Sequence, residues 1–364
     1  MKFPASILLY AALASFTPCT SAGGGRHHNL DIEAGYHVIY SYPGLTPPDK
    51  LFDLISAGKV GGISLNAGNV DENLPALIDK FQRAYRRAPG NLGQPLPIMT
   101  DQEGGLFHSL PGPPERTQKD IGSSPDPKAA AACHGREAAQ TLRSWDVHIN
   151  LGPVLAVYRE PGDFMDQYNR SYSNDPEIVA TCASSSIHAQ KQAGIIPVAK
   201  HFPGLGAASA KDNTDLAPVT LDVPLSELRY VDILPYKRAM EETGLDMVMF
   251  SWGTYPAVDA KYPAGLSKTW VQRELRKRLR FKGVTVSETL GAGSLEPFGG
   301  LGERAVLASR AGMDLILVAF GDVSQGEEVH KALVRALKRG HLDRRDFMEA
   351  TKRILRLRKK LRHY

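Results

Sequence analysis

The chain has 364 residues, of which 42% are hydrophobic, 23% charged and 8% aromatic, with a formal net charge of +5 and three cysteines. Those fractions suit a globular protein with a large core and exclude disorder, a collagen-like repeat and a disulfide-dense scaffold. Lys and Arg outnumber Asp and Glu by only 44 to 39, too little to imply nucleic acid as a partner without a local basic stripe.

Residues 1–22 read as a signal peptide: Lys2 is the positive start, 7–14 an apolar run, and Thr20-Ser21-Ala22 a small-residue cleavage site. A membrane anchor is the competing reading, but the run falls short of the ~20 residues a span needs. Export to the extracellular space follows, with no stable membrane insertion. Cleavage removes Cys19 and leaves Cys133 and Cys182, which either pair or remain two buried thiols.

Residues 23–364 then form one domain of alternating elements. Near-continuous apolar runs at 37–40, 61–65, 96–100, 147–151, 195–199, 247–250, 283–287 and 315–318 have the character of parallel strands covered on both faces. Helical patterns lie between them at 73–87, 127–144, 176–193, 225–243 and 268–280. Eight such repeats predict an α/β fold of (β/α)8 TIM-barrel type. The alternative, a doubly wound open sheet, lacks the Gly-rich phosphate turn after its first strand. At the end of the chain, 331–364 holds thirteen Lys and Arg against three acidic residues. Phe347, Ala350, Ile354, Leu357 and Leu361 recur there at helical spacing, predicting a barrel-covering amphipathic helix with a basic outer face.

Enzymes on this fold build their sites from loops at the carboxyl ends of the strands. Asp101-Gln102-Glu103-Gly104-Gly105 follows the third run, Asn169-Arg170-Ser171-Tyr172 lies beyond the fourth, Lys200-His201 closes the fifth, and Glu288 follows the seventh. Charged groups converging on one mouth are costly unless they bind something, and a polyhydroxylated ligand is the economical choice. Glu103 reads as part of a turn. Trp252, after the sixth run, suits stacking on a sugar or plain packing equally. Asn169 begins a glycosylation sequon, and occupancy there would block the mouth. No Cys/His cluster at zinc spacing and no EF-hand loop is present, so neither metal nor cofactor is expected.

The strings AKHFPG (199–204), DQEGG (101–105), RSYSNDPEIVA (170–180) and ATKRILRLRKKL (350–361) together resemble glycoside hydrolase family 3, in particular its single-domain β-N-acetylhexosaminidase branch. The resemblance runs from about residue 35 to 361 and lacks the α/β sandwich domain that follows the barrel in the family's β-glucosidases. It implies a retaining exo-glycosidase acting on terminal β-linked sugars, of β-N-acetylhexosaminide or β-glucoside type. Asp101, Arg170, Lys200 and His201 match positions that hold sugar hydroxyls or the 2-substituent, and their chemistry supplies charge-assisted hydrogen bonds. A carbohydrate is thus the expected partner of a monomeric protein.

The catalytic positions depart from the family pattern. The family nucleophile is an Asp after Ser or Thr beyond the seventh strand, whereas this chain has Ser287-Glu288. Glu288 offers the same carboxylate one methylene further along, or serves only to hold sugar. The family's acid/base, a His held by an Asp, aligns with Asn213 and Lys211, and Asn cannot exchange a proton near neutral pH. Asp212 is the expected substitute acid, with Asp215 beside it, although either carboxylate could simply cap the loop. An inactive barrel kept as a sugar-binding module is the alternative.

Overall fold

A computed structural model describes residues 29–361. The segment 1–22, read from the sequence as a signal peptide and including Cys19, lies outside the described residues. The strands are β1 (Val38–Tyr40), β2 (Gly62–Ser64), β3 (Ile98–Thr100), β4 (Gln102–Gly104), β5 (Phe107–His108), β6 (Ile149–Asn150), β7 (Ile196–Phe202), β8 (Met247–Phe250), β9 (Val284–Ser287) and β10 (Ile316–Leu317). All except β4 and β5 join one parallel sheet in the order β10-β1-β2-β3-β6-β7-β8-β9. A parallel bridge from Val286 to Leu315 links its two ends, so the sheet closes into the expected (β/α)8 barrel, with one strand in each of the eight apolar runs.

Alternating side chains of those strands fill the barrel interior, where Ile39, Met99, Ile149, Val198, Val286 and Leu317 form one buried cluster. The opposite faces pack outward under the helices in a second, larger cluster. Helix Pro127–Ser144 starts where Asp126 accepts from the Ala129 N–H at 3.0 Å, and Pro176–Gln192 where Asp175 accepts from Glu177 at 2.8 Å. Asp-Pro supplies both a cap and a preset first turn. The pattern at 225–243 is not one helix. It runs as Leu225–Glu227, a π-helical turn Leu228–Asp232, then Leu234–Thr243, with Pro235 opening the last piece.

The closing helix Arg344–Arg358 sends Ile354 and Leu357 into the barrel-interior cluster and so stops its amino end. Burial of each such side chain is worth roughly 1.5–3 kcal/mol. Its cations are not all solvated, as the sequence pattern suggested. Arg358 is fully buried, donating to the Gly61 carbonyl at 2.7 Å and to the Tyr85 hydroxyl, and Arg353 pairs with buried Asp314 at 2.7 Å. Charge here fastens the helix to the barrel.

Cys133 is exposed and Cys182 buried, and both are free thiols. Among the described residues no helix is long and apolar enough to cross a membrane.

Candidate active site

A cavity of about 180 Å³ opens at the carboxyl end of the barrel, lined among others by Asp101, Arg170, Lys200, His201, Asp215 and Glu288. The groups arrive from four strand ends, those of β3, β6, β7 and β9. Asp101 sits between β3 and β4. The DQEGG string then turns back as the β4–β5 hairpin, for which Gly104 and Gly105 adopt φ of +100° and +58°. A Cβ at Gly104 would lie 2.3 Å from the Arg116 carbonyl, so both backbone angle and space demand glycine. Lys200 and His201 are the buried end of β7.

At the base of the cavity is a four-charge network. The Arg170 guanidinium donates to both oxygens of Glu103 at 2.8 and 2.9 Å. The Lys200 ammonium reaches Glu103 at 2.7 Å and Asp101 at 2.5 Å. Burial alone would raise the Glu103 carboxyl, but Arg170 and Lys200 outweigh it and hold its pKa at about 2. Burial likewise opposes the charge on Lys200, yet Asp101 and Glu103 keep its pKa above the usual lysine value. Glu103, read from sequence as a turn residue, is therefore the hub that fixes Arg170 and Lys200. Its signal lay in the same string as Asp101. Beside it, burial and the neighbouring Lys200 and Arg170 push His201 well below the usual histidine range. His201 is thus a neutral ring, and its Nδ1 is buried with no partner.

Two cations are matched by two carboxylates in this network, which leaves Glu288 and Asp215 without a cation of their own. Glu288 follows β9 and is half-buried as a residue, but its Oε2 is enclosed and has no hydrogen-bond partner. Burial first, and then the charge of Asp215, push its pKa up to about 8, against the pull of Arg170 and Lys200. Burial also raises Asp215 above the usual aspartate value.

Backbone contacts explain how Asp215 comes to face Glu288. The Asp215 carbonyl accepts from Gly293 N–H at 2.8 Å and the Thr214 carbonyl from Ser294 at 3.2 Å, so the loop after β7 is stitched to the loop after β9. Asn213 accepts from the Asp215 N–H at 2.9 Å and shapes the loop. The expectation for Asp212 needs correction. Its carboxylate accepts from the Ser209 N–H at 2.9 Å, capping its own turn, and it is absent from the cavity wall. The loop path turns residue 215, not 212, inward. Trp252 is packing as well: it is buried against Gly265, and its indole N–H donates to the Thr289 carbonyl at 2.9 Å.

The apolar side of the cavity, with Phe107, Phe164, Met165 and Phe320, had no periodic signal in the sequence because Phe107 sits on the two-residue strand β5 and the other three in loops. The Arg170 guanidinium lies 4.1 Å over the Phe107 ring, joining the charged wall to the apolar one. Among the described residues no group of three or more His, Cys, Asp or Glu is placed to hold a metal.

The Glycosyl hydrolase family 3 N terminal domain pattern matches residues 39–357. An uncharacterized secreted glycosyl hydrolase of Arthroderma benhamiae is 47% identical over 333 residues, 92% of this chain and 94% of that protein. A beta-hexosaminidase of Nitrosomonas eutropha is 30% identical over 298 residues, 79% of this chain and 81% of that one. Among solved structures, a glycoside hydrolase family 3 beta-N-acetylglucosaminidase from Paenibacillus sp. str. FPU-7 superposes with a TM-score of 0.84 and 28% identity over 91% of this chain. This chain spans 62% of that longer one. A beta-N-acetylhexosaminidase from Beutenbergia cavernae gives a TM-score of 0.81 at 26% identity, covering 91% of this chain and 98% of the other.

Proposed function

The chain belongs to glycosyl hydrolase family 3, and from that premise we propose that it is a secreted exo-glycosidase. Its substrates are terminal β-linked sugars, with N-acetylhexosaminides ahead of glucosides, and it works by double displacement with retention. The observation that carries this reading is the meeting of Glu288 and Asp215 in the cavity that also presents Asp101, Arg170, Lys200 and His201. The names of the Nitrosomonas and Beutenbergia relatives favour a 2-acetamido sugar. Export is supported by the 1–22 segment and by the description of the Arthroderma relative as secreted.

Double displacement needs one carboxylate and one carboxylic acid. Two carboxyls sharing an enclosed space resist losing both protons, so over a window of pH the pair holds one proton between them. The productive form carries the shared proton on Asp215, which is the less populated arrangement because Glu288 is the more basic of the two. From it, in the first step, a Glu288 oxygen attacks the anomeric carbon while Asp215 delivers the proton to the departing glycosidic oxygen, leaving a glycosyl ester on Glu288. In the second step Asp215 takes a proton from water, whose oxygen displaces Glu288. Asp101, Arg170, Lys200 and neutral His201 orient the sugar by charge-assisted and neutral hydrogen bonds.

A 2-fluoro glycoside with an activated leaving group tests the assignment, read by mass spectrometry of the digested protein. A stable label on Glu288 is the expected result, whereas a label on Asp215 exchanges the two roles. Sugar binding by calorimetry with no label and no turnover of any aryl glycoside would leave a binding module in place of an enzyme.

A further inference from the structure

The described residues include seven exposed large hydrophobic side chains, and five of them, Leu45, Leu106, Tyr168, Leu216 and Phe320, stand on loops that follow barrel strands, at the cavity end. Such residues are ordinary when scattered and informative when gathered around one opening. Phe320 is 77% exposed, Leu106 86% and Leu216 75%. Phe320 itself lines the cavity, and in the chain Leu106 directly precedes the lining residue Phe107 and Leu216 directly follows the lining residue Asp215. Tyr168 meets Phe107 and Phe164 edge-on, with centroids 5.9 and 6.0 Å apart. The rim thus continues the apolar wall of the cavity outward.

The backbone shows that Phe320 is held there at a cost. Its φ is +58°, a left-handed angle that is uncommon for a bulky residue and that persists only where the surroundings impose it. Topology then sets the spacing of the rim. In the closed ring, β10 lies opposite β6, so Phe320, after β10, stands across the mouth from Phe164 and Tyr168, after β6. The cavity of about 180 Å³ has room for one sugar ring, so whatever is joined to that ring must emerge between these side chains.

We propose that the rim formed by Leu106, Tyr168, Leu216 and Phe320 selects substrates whose leaving group is apolar, an alkyl or aryl aglycone, over those whose leaving group is another sugar. The proposal rests on the reading of the cavity as a sugar site. Aromatic faces alone would also accept a sugar, but exposed Leu106 and Leu216 offer neither stacking nor hydrogen bonds to one. They gain only from covering hydrocarbon, which favours an apolar occupant.

The test is a series of n-alkyl β-N-acetylglucosaminides and β-glucosides from methyl to octyl, whose leaving groups differ little in acidity, alongside N,N′-diacetylchitobiose. Half-burying a methylene predicts about a twofold gain in kcat/KM for each one added, and on the order of a hundredfold from methyl to octyl. The double variant Leu106→Ser, Leu216→Ser and, separately, Phe320→Ala should each flatten that slope, read as the octyl-to-methyl ratio within each protein. Calorimetric Kd values along the same series read the rim even if no member is cleaved. A falling Kd without turnover would keep the rim and defeat the enzymatic reading. Turnover with a flat slope, or chitobiose preferred to the octyl glycoside, would overturn the rim and leave the enzyme. A dimer in sedimentation that the double variant dissolves, with the slope unchanged, would assign the rim to self-association and also overturn the proposal.

Discussion

Arg170 grips both oxygens of Glu103 at 2.8 and 2.9 Å, beneath a cavity in which neither residue is free to turn. The side chains of Glu103 and Lys200 are 2% and 3% exposed, and the two cations share Glu103. Replacing Glu103 by Gln keeps its shape and removes the charge that balances them. Breaking a buried pair from one side costs about 3–5 kcal/mol. Glu103→Gln should therefore lower denaturant-midpoint stability by that order and abolish sugar binding, because Arg170 and Lys200 lose their positions. A variant of wild-type stability and affinity would show that the network is incidental.

In the proposed reaction the Glu288 and Asp215 pair sets the pH dependence of activity. Glu288 is raised to about 8, by burial first and Asp215 second, and Asp215 is raised by burial. Below the step of Asp215 both groups are protonated and no nucleophile exists; above about pH 8 both are ionised and no acid exists. The profile of kcat/KM should therefore be a bell with its alkaline limb near pH 8 and its acid limb above the ordinary aspartate range. Asp215→Asn removes the charge that helps to raise Glu288, so Glu288 should ionise at lower pH. Activity that is level from pH 6 to 10 in the wild-type protein would refute the shared proton.

How far the sequence foretold this site depends on where each residue lies. Lys200 and His201 stand on a strand, where an apolar run ending in charge is visible by eye, and Asp101 and Glu288 follow such runs directly. Arg170, in a longer loop, was reached through the string around it. Asp212 and Asp215 are three residues apart on an irregular loop, where no periodicity says which one points inward. The deciding contacts are backbone bonds from Gly293 and Ser294, nearly eighty residues further on. Glu103 was misjudged for a related reason: a carboxylate beside Gly-Gly suits a turn, and only the folded barrel brings Arg170 and Lys200 to it. The eight strands, in contrast, were legible because burial on both faces leaves an unbroken apolar run.

His37 links the closing helix to the barrel and predicts an acid-sensitive stability. Its ring nitrogens meet the Asp314 carbonyl at 2.7 Å and the Thr351 hydroxyl at 2.8 Å, and the ring stacks 3.9 Å from Phe347. Burial pushes its pKa from 6.5 down to about 4. The unfolded chain therefore binds the extra proton first, and the stability contribution, complete above pH 6.5, is lost as pH falls towards 4. That loss amounts to about 3 kcal/mol. Denaturant unfolding at pH 7 and pH 4.5 should show it in the wild-type protein and less of it in His37→Gln. Equal pH dependence of the two proteins would rule out His37 as the source.

The two neighbouring aspartates give the sharpest separation of roles. Asp212→Asn removes the charge but keeps an oxygen that can accept from the Ser209 N–H, as the carboxylate does at 2.9 Å, so stability should change by less than about 1 kcal/mol and kcat/KM should stay within a few-fold of wild type. Asp215→Asn removes the proposed proton donor. Its kcat should fall by about 10²–10⁴ for an alkyl glycoside, and much less for a dinitrophenyl glycoside, whose leaving group needs no proton. Azide, entering where the carboxylate stood, should restore turnover of the activated substrate and yield the β-glycosyl azide. Should Asp212→Asn show the large loss and the azide product instead, the loop must refold when sugar binds, with residue 212 carried inward in place of 215.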